Sequence, residues 1–396
     1  MKYVVVVPDG AADYHMDTLH GKTPLEAAYT PNMDMLASAG IIGRVKTVPK
    51  GYTPASDVAN LSLLGYEPEK FYSGRAPFEA ANMGIALEYG DVAFRCNLVT
   101  EADGCMQDYS AGHITTKEAQ PLIKKLDREL GNDQIKFYPG ISYRHLMICK
   151  NGVDLGFDKL KTSAPHDIMG RELQKYLPKV KNAEILINLM ERSKEILSGD
   201  DINAVRVDLG DNPANMIWLW GQGADSNLPT FHQRYGLTGG VISAVDLVNG
   251  IGKTIGLEVV NVEGATGYYD TNYYGKGAAA VEVLKRHDFV YVHIEAPDEA
   301  GHNGDLRAKM TALEKIDKYI IGTILRECSL EDTRIMVVPD HYTPVDLRTH
   351  SSEPVPFLMA GSGVPKSVSS RFCEEEAQNS NLFFENGALL MESFIK

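Results

Sequence analysis

The chain has 396 residues, 44% of them hydrophobic and 23% charged, with 53 acidic against 39 basic side chains and a formal net charge of −14. That is globular usage over a length sufficient for about two or three domains, and it excludes a disordered chain. The acidic balance argues against a general nucleic-acid binder, because phosphate backbones recruit Lys and Arg, yet a locally positive site for a small anion stays open.

Cys96, Cys105, Cys149, Cys328 and Cys373 are odd in number and form no C-x-x-C pair, which reads as free thiols in a reducing compartment. The segment Met1 to Pro8 is too short and too β-branched for a signal peptide, and no run of about 20 apolar residues offers a membrane span. A cytoplasmic protein without a membrane or nucleic-acid partner is expected.

Tyr3 to Val7 is a continuous apolar run ending in Pro8-Asp9-Gly10, the pattern of a buried parallel strand. Thr23 to Ala28 reads as a capped helix start or a turn, and Thr30 to Ala37 as a second, stopped by Gly40. Ile41 to Val48 returns to strand character. Ser56 to Leu64 has helical spacing at Val58, Leu61 and Leu64. Residues from about 80 to 235 carry longer polar stretches, such as Lys117 to Asp133 and Leu173 to Asp200. Phe137-Tyr138-Pro139, Tyr143 to Cys149 and Met216 to Trp220 are strand candidates of a smaller α+β unit, with Trp218 and Trp220 read as core. Late in the chain the alternation resumes. Ala278 to Arg286 and Leu306 to Glu327 read as helices; Phe289 to Ile294, Arg334 to Pro339 and Val355 to Ala360 read as strands. The expected fold is α/β: a mostly parallel sheet flanked by helices over 1–80 and 236–396, divided by an inserted α+β domain over 81–235.

Asp and His gather just past these strands. Asp298 and His302 follow one, Asp340 and His341 another, His350 precedes the strand at Val355, and Asp9 follows the first. Taken singly, each such Asp reads as a cap or turn residue and each His as a satisfied core or surface group. Together, on one sheet edge, carboxylate and imidazole form a ligand set for Zn²⁺, Mn²⁺ or Fe, and six side chains suit two adjacent metals better than one. Ser56 has two readings. As the first residue of a helix it is an N-cap; beside a metal it is an alkoxide nucleophile at a helix terminus that favours a phosphoryl group. Position alone does not choose between them.

Several stretches together resemble the alkaline phosphatase superfamily and, more narrowly, the cofactor-independent phosphoglycerate mutases of the archaeal type. They are Pro8-Asp9-Gly10, Thr23 to Ala28, Thr30 to Leu36, Ser56 to Tyr66, Gly74-Arg75-Ala76-Pro77, Ala265 to Tyr273, Glu295 to Asp305, Asp340-His341 and His350 to Phe357. They span nearly the whole chain in the family's order. The resemblance implies an alkaline-phosphatase-like core and two divalent ions, Mn²⁺ or Zn²⁺ with Co²⁺ and Fe²⁺ also admitted, and neither bisphosphoglycerate nor a nucleotide. One ion would sit on Asp298, His302 and His350, the other on Asp9, Asp340, His341 and the Ser56 hydroxyl. Ser56 would be phosphorylated in passing as 3-phosphoglycerate and 2-phosphoglycerate interconvert. Ala55 stands where many relatives have Gly, a change tolerated if its φ is negative.

Lys276 resembles the family's site lysine and would stabilise the transferring phosphoryl group. Arg75, Arg95, Arg144 and His166 are candidates to hold the carboxylate and hydroxyls of the substrate; Asp108, with Ser110 and His113, is a polar cluster of similar standing. Surface charges and structural ion pairs would look the same in sequence. Proton transfer to the glycerate falls to Asp57 or to a residue of the insertion. Two other readings stand beside the mutase. One keeps the metals and changes the acceptor, giving a phosphatase or a phosphotransferase on another small alcohol, such as a homoserine-kinase-like activity; the chain has no G-x-x-x-x-G-K-[ST] loop for ATP. The other is a non-catalytic metal-binding relative.

Overall fold

A computed structural model describes residues 1–179, 181–225, 227–366 and 369–396. Two compact units emerge: Met1–Tyr72 with Leu228–Lys396, and Ser73–Asn227. In chain order the strands are β1 (Lys2–Pro8) and β2 (Ile41–Val45) of the first unit. Then come β3 (Val92–Ala102), β4 (Cys105–Asp108), β5 (Ile135–Ile141), β6 (Arg144–Cys149) and β7 (Met216–Ala224) of the second. The first unit resumes with β8 (Gly239–Ile242), β9 (Glu258–Val259), β10 (Phe289–Ile294), β11 (Thr333–Val337), β12 (Val355–Gly361) and β13 (Phe383–Phe384).

The first unit is an eight-stranded sheet in the order β13-β2-β12-β11-β1-β10-β8-β9. β1, β8, β9, β10 and β11 run parallel, as the alternation of apolar strands and helices predicts. One strand departs from that expectation: β12 is antiparallel to both β11 and β2. A parallel neighbour needs a crossover, usually a helix, and no helix lies between Val337 and Val355. Val4, Val6, Val290, Val292, Ile335 and Val337 pack against Leu313, Ile316, Ile320 and Ile324 and the helices around them. The opposite sheet face carries Tyr291, whose hydroxyl donates to Asn60 Oδ1 at 2.6 Å and so seats the helix Ser56–Leu63.

The expected helix from Leu306 to Glu327 forms with a π-helical stretch, Ile316–Ile321, between Leu306–Lys315 and Gly322–Glu327. Asp317 in that stretch accepts from Met33 N at 2.8 Å and from Asn32 Nδ2 at 2.8 Å. It supplies the start of the helix Pro31–Ala39 with the partner that its own N-cap Thr30 does not.

The second unit is an antiparallel sheet with β3 at its centre, paired with β6 and β7, β5 beyond β6, and β4 on the far end of β3. The polar stretches of the sequence are helices here, Thr116–Leu130 and Ala183–Ser198. Charged faces hide an apolar side of Ala119, Leu122, Ile123 and Leu126 that enters the core, and Thr115 with Glu118 forms a capping box at the first helix. The five cysteines are free thiols.

Candidate metal centre

The carboxyl ends of the parallel strands bring the candidate ligands to one edge of the first unit's sheet. Asp9 follows β1, its N–H on the Ile294 carbonyl at the end of β10. After β10 the helix Ala296–Asn303 turns Asp298 and His302 to one side by their i,i+4 spacing. Asp340 and His341 follow β11. His350 precedes its strand, and only because β12 runs antiparallel does a residue before it reach the same edge. Gly10 has φ +59°, and a Cβ there would lie 2.5 Å from Thr343 Oγ1 and 2.6 Å from Asp298 Oδ1. The turn after Asp9 therefore requires glycine.

Ser56 is the first residue of its helix, with Ala55 at the N-cap. The cap reading of Ser56 does not hold: Ala55 occupies the N-cap, and Ser56 Oγ lies 3.3 Å from His341 Nε2. Ala55 is extended at φ −163°, so its Cβ is unstrained. Asn60, one turn on, donates to both Ser56 O at 2.8 Å and Asp340 Oδ2 at 2.9 Å.

Three imidazoles are held from behind. His302 Nδ1 lies 3.1 Å from the Arg348 carbonyl, and His350 Nδ1 3.2 Å from that of Pro54. A carbonyl only accepts, so each neutral ring keeps its proton on Nδ1 and turns Nε2 inward. His341 Nδ1 is 3.2 Å from Thr343 Oγ1, a hydroxyl already donating to Asp298 Oδ1, which gives the same orientation. The inward nitrogens converge. His302 Nε2 is 2.9 Å from His350 Nε2 and 3.2 Å from Asp298 Oδ2; His350 Nε2 is 3.4 Å from Asp298 Oδ1. His341 Nε2 is 3.5 Å from both Asp9 Oδ1 and Asp340 Oδ2. Asp298, His341 and His350 offer one group of atoms within 4.8 Å of one another, and Asp9, Asp340 and His341 a second.

The electrostatics fit divalent cations. Asp9 is wholly buried and neither of its carboxylate oxygens has a hydrogen-bond partner. Burial pushes the Asp9 carboxyl well above the usual carboxylate range, and Asp340, Glu295 and Asp298 push it further. Such a set is unfavourable alone and favourable around a cation. The hydrogen bond to Asp298 lifts His302 to about 9, so a metal at this position would have to compete with a proton.

Lys276 is wholly buried, and its Nζ donates to the His293 carbonyl at 3.0 Å. Burial brings its pKa down to about 8, against the opposing pull of Glu295. Asp57 is committed elsewhere: its oxygens accept from Val58 N at 2.8 Å and Tyr72 OH at 2.6 Å.

The remaining predicted residues belong to the second unit. Arg75 and Arg95 both pair with Glu79, each at 3.0 Å, and the buried Arg95 guanidinium lies 4.2 Å over the Trp220 ring. His166 meets that ring edge-on at 5.5 Å. Arg75 and Arg144 are near enough to Arg95 to act with burial, the largest cause, in lowering its pKa to about 10. Arg75, Arg95, Arg144 and His166 thus form one basic cluster. Asp108 does not join it; its carboxylate accepts from Ser110 N, Ser110 Oγ, Gly112 N and Asn212 Nδ2 and builds a turn.

Sequence reasoning missed Asn60, Thr343, His293 and Glu295. Histidine inside the otherwise apolar Phe289-Val290-Tyr291-Val292-His293-Ile294 was the available signal, since a buried strand rarely carries one without a task. Asn60 sits one helical turn from Ser56, a spacing that puts both on one face.

Comparison with known proteins identifies the family. Residues 37–203 match the family model described as 2,3-bisphosphoglycerate-independent phosphoglycerate mutase. The proteins of that name from Methanosarcina barkeri and Methanosarcina acetivorans are each 49% identical to this chain over 100% of both lengths. Among solved structures, a Pyrococcus horikoshii protein superposes with a TM-score of 0.85 at 31% identity, covering 100% of this chain and 96% of its own. The cofactor-independent phosphoglycerate mutase of Thermoplasma acidophilum does so with a TM-score of 0.68 at 26% identity, covering 100% and 99%. With full-length identity of this order to proteins that carry the name, the chain belongs to the 2,3-bisphosphoglycerate-independent phosphoglycerate mutase family.

Proposed function

We propose that this protein interconverts 3-phosphoglycerate and 2-phosphoglycerate without bisphosphoglycerate, through a phosphoserine at Ser56. One observation carries the reading: Ser56 Oγ, at a helix N-terminus, lies 3.3 Å from His341 Nε2 at the margin of a buried carboxylate–imidazole cluster. Family membership supports it. Asp298, His302 and His350 would hold one divalent ion; Asp9, Asp340, His341 and Ser56 would hold the second. Bound ions of this kind supply positive charge to the phosphoryl oxygens and lower the pKa of a nearby hydroxyl.

In the first half-reaction Ser56 Oγ attacks phosphorus in line and the glycerate oxygen leaves, taking a proton. In the second, the other glycerate hydroxyl gives up a proton, attacks the phosphoserine, and Ser56 is restored. The start of the helix Ser56–Leu63 would offer backbone N–H groups to the anion, apart from that of Val58, which donates to Asp57 Oδ1, and Asn60 holds the Ser56 carbonyl and Asp340 in register. The Lys276 ammonium, close to Glu295, adds charge on the same side. Arg75, Arg95, Arg144 and His166 of the second unit supply the groups that suit a carboxylate and hydroxyls, because a guanidinium binds a carboxylate through two hydrogen bonds. Retaining glycerate between half-reactions separates a mutase from a phosphatase.

The test is phosphorus NMR of the Mn²⁺-loaded protein with 3-phosphoglycerate and no bisphosphoglycerate. A 2-phosphoglycerate signal that stops growing on chelation is expected. Free phosphate alone would replace the mutase by a phosphatase. Ser56→Ala should lower turnover by on the order of 10³-fold or more while metal content persists, measured by the same assay and by elemental analysis.

A further inference from the structure

Behind the metal groups one buried side chain joins the loops that carry their ligands, and no step of the reaction uses it. Lys309, on the helix Leu306–Lys315, is wholly excluded from solvent. Its Nζ donates to Asp13 Oδ2 at 2.7 Å, to the Thr343 carbonyl at 2.9 Å and to the Ala12 carbonyl at 3.5 Å. An ammonium has three N–H donors, and each meets an acceptor here. Burial pushes the Lys309 pKa below the usual lysine range, against the opposing pull of Asp13, Asp298 and Glu374. A charge at this depth is tolerated only with its partners in place, so the ammonium and its acceptors hold one another still.

Those acceptors belong to two different loops. Ala12 and Asp13 lie in the loop that follows β1 and opens with Asp9; Thr343 lies in the loop that follows β11 and carries Asp340 and His341. The Asp13 carboxylate extends the tie, since Oδ2 also accepts from Val345 N at 3.1 Å and Oδ1 from Tyr14 N at 2.8 Å. From Thr343 the contacts reach the ligands themselves: Oγ1 donates to Asp298 Oδ1 and lies 3.2 Å from His341 Nδ1. Gly301, on the helix that carries Asp298 and His302, packs so closely on the Thr343 carbonyl that a Cβ there would overlap it. One ammonium therefore meets the β1 loop and the β11 loop directly and the Asp298 helix through Thr343.

We propose that Lys309 is a positioning residue of the metal centre: by gripping Asp13 and the Thr343 carbonyl it sets the spacing between Asp9 and the Asp340–His341 pair, and with it the affinity for divalent cations. A buried ion pair that only stabilised the fold would behave differently, because removing both of its charges together is often neutral. The inference rests on the two-ion reading above, and ion binding by the unsubstituted protein tests that reading separately.

The full-length protein would be stripped by chelation and titrated with Mn²⁺, with free and bound ion followed by electron paramagnetic resonance. Lys309→Met alone strands the Asp13 carboxylate and can unfold the chain, so the decisive variant is Lys309→Met/Asp13→Asn, which removes both charges of the pair. Circular dichroism establishes that it is folded. The folded double variant should bind Mn²⁺ about 10–100-fold more weakly, the usual range for groups that orient metal ligands, and the spectrum of its bound ions should change. Asp317→Ala, which weakens the fold at the helix Pro31–Ala39, should keep the affinity of the unsubstituted protein. Unchanged affinity in the double variant, or an equal loss in Asp317→Ala, would overturn the positioning role and leave Lys309 and Asp13 as a stabilising pair. No Mn²⁺ bound by the unsubstituted protein would overturn the two-ion reading itself.

Discussion

Asn60 shows how much of the site is carried by a residue with no chemistry of its own. Its amide holds the Ser56 carbonyl and Asp340 Oδ2, and its oxygen accepts from Tyr291. Asn60→Ala frees Asp340 to rotate and leaves the Tyr291 hydroxyl buried without a partner. Outer-shell groups of this kind are worth about 10–100-fold in metal affinity or activity, and a Mn²⁺ titration of Asn60→Ala should show a loss in that range. Unchanged affinity would mean that Asp340 is held by Gly10 N and His341 N alone. Asp9, Asp298, Asp340 and the three histidines were legible as candidates only as a set, because each follows or precedes a recognisable strand. His293 was not, because its neighbours in sequence are all core.

Two contacts between elements carry testable energies. The helix Pro31–Ala39 receives the Asp317 carboxylate at its first turn. Asp317→Ala leaves buried donors unsatisfied and should cost about 1–3 kcal/mol, read as a lower urea midpoint by circular dichroism. In the second unit, Glu79 on the helix Ala76–Asn82 sits between Arg75 and the β3 residue Arg95. Burial alone would raise its pKa; the two guanidiniums outweigh that and leave it below the ordinary 4.5. A depressed folded-state pKa stabilises above the unfolded value, and that stabilisation disappears as pH falls through the folded one. The melting temperature of this unit should therefore drop as pH is taken below 4.5, and Glu79→Gln should give a lower but flatter profile. Tryptophan fluorescence reports it, because the chain's two tryptophans, Trp218 and Trp220, both lie on β7.

For the molecule as a whole, the candidate metal groups among the described residues lie within Met1–Tyr72 and Leu228–Lys396, while both tryptophans lie within Ser73–Asn227. An ion bound only by the folded state stabilises it by about 2.7 kcal/mol at 100 times its dissociation constant. Chelation should lower the calorimetric transition of the first unit and leave the tryptophan-reported transition in place. An equal shift of both would mean that the units unfold as one. Among the described residues no helix is long and apolar enough to cross a membrane.

The α/β class and the candidate ligand types are legible in sequence alone, because apolar runs of strand length and the Asp and His beside them are local patterns. The sequence also carried the family resemblance, which needs only residues in order. Tertiary structure decided what depends on pairing. The antiparallel course of β12 brings His350 to the site edge, and no periodicity encodes strand direction. Long-range approach turned Ser56 from a helix cap into a neighbour of His341, 285 residues away. The same packing set His293 against Asp9, and a buried strand reads alike in sequence whichever partner its one polar residue meets.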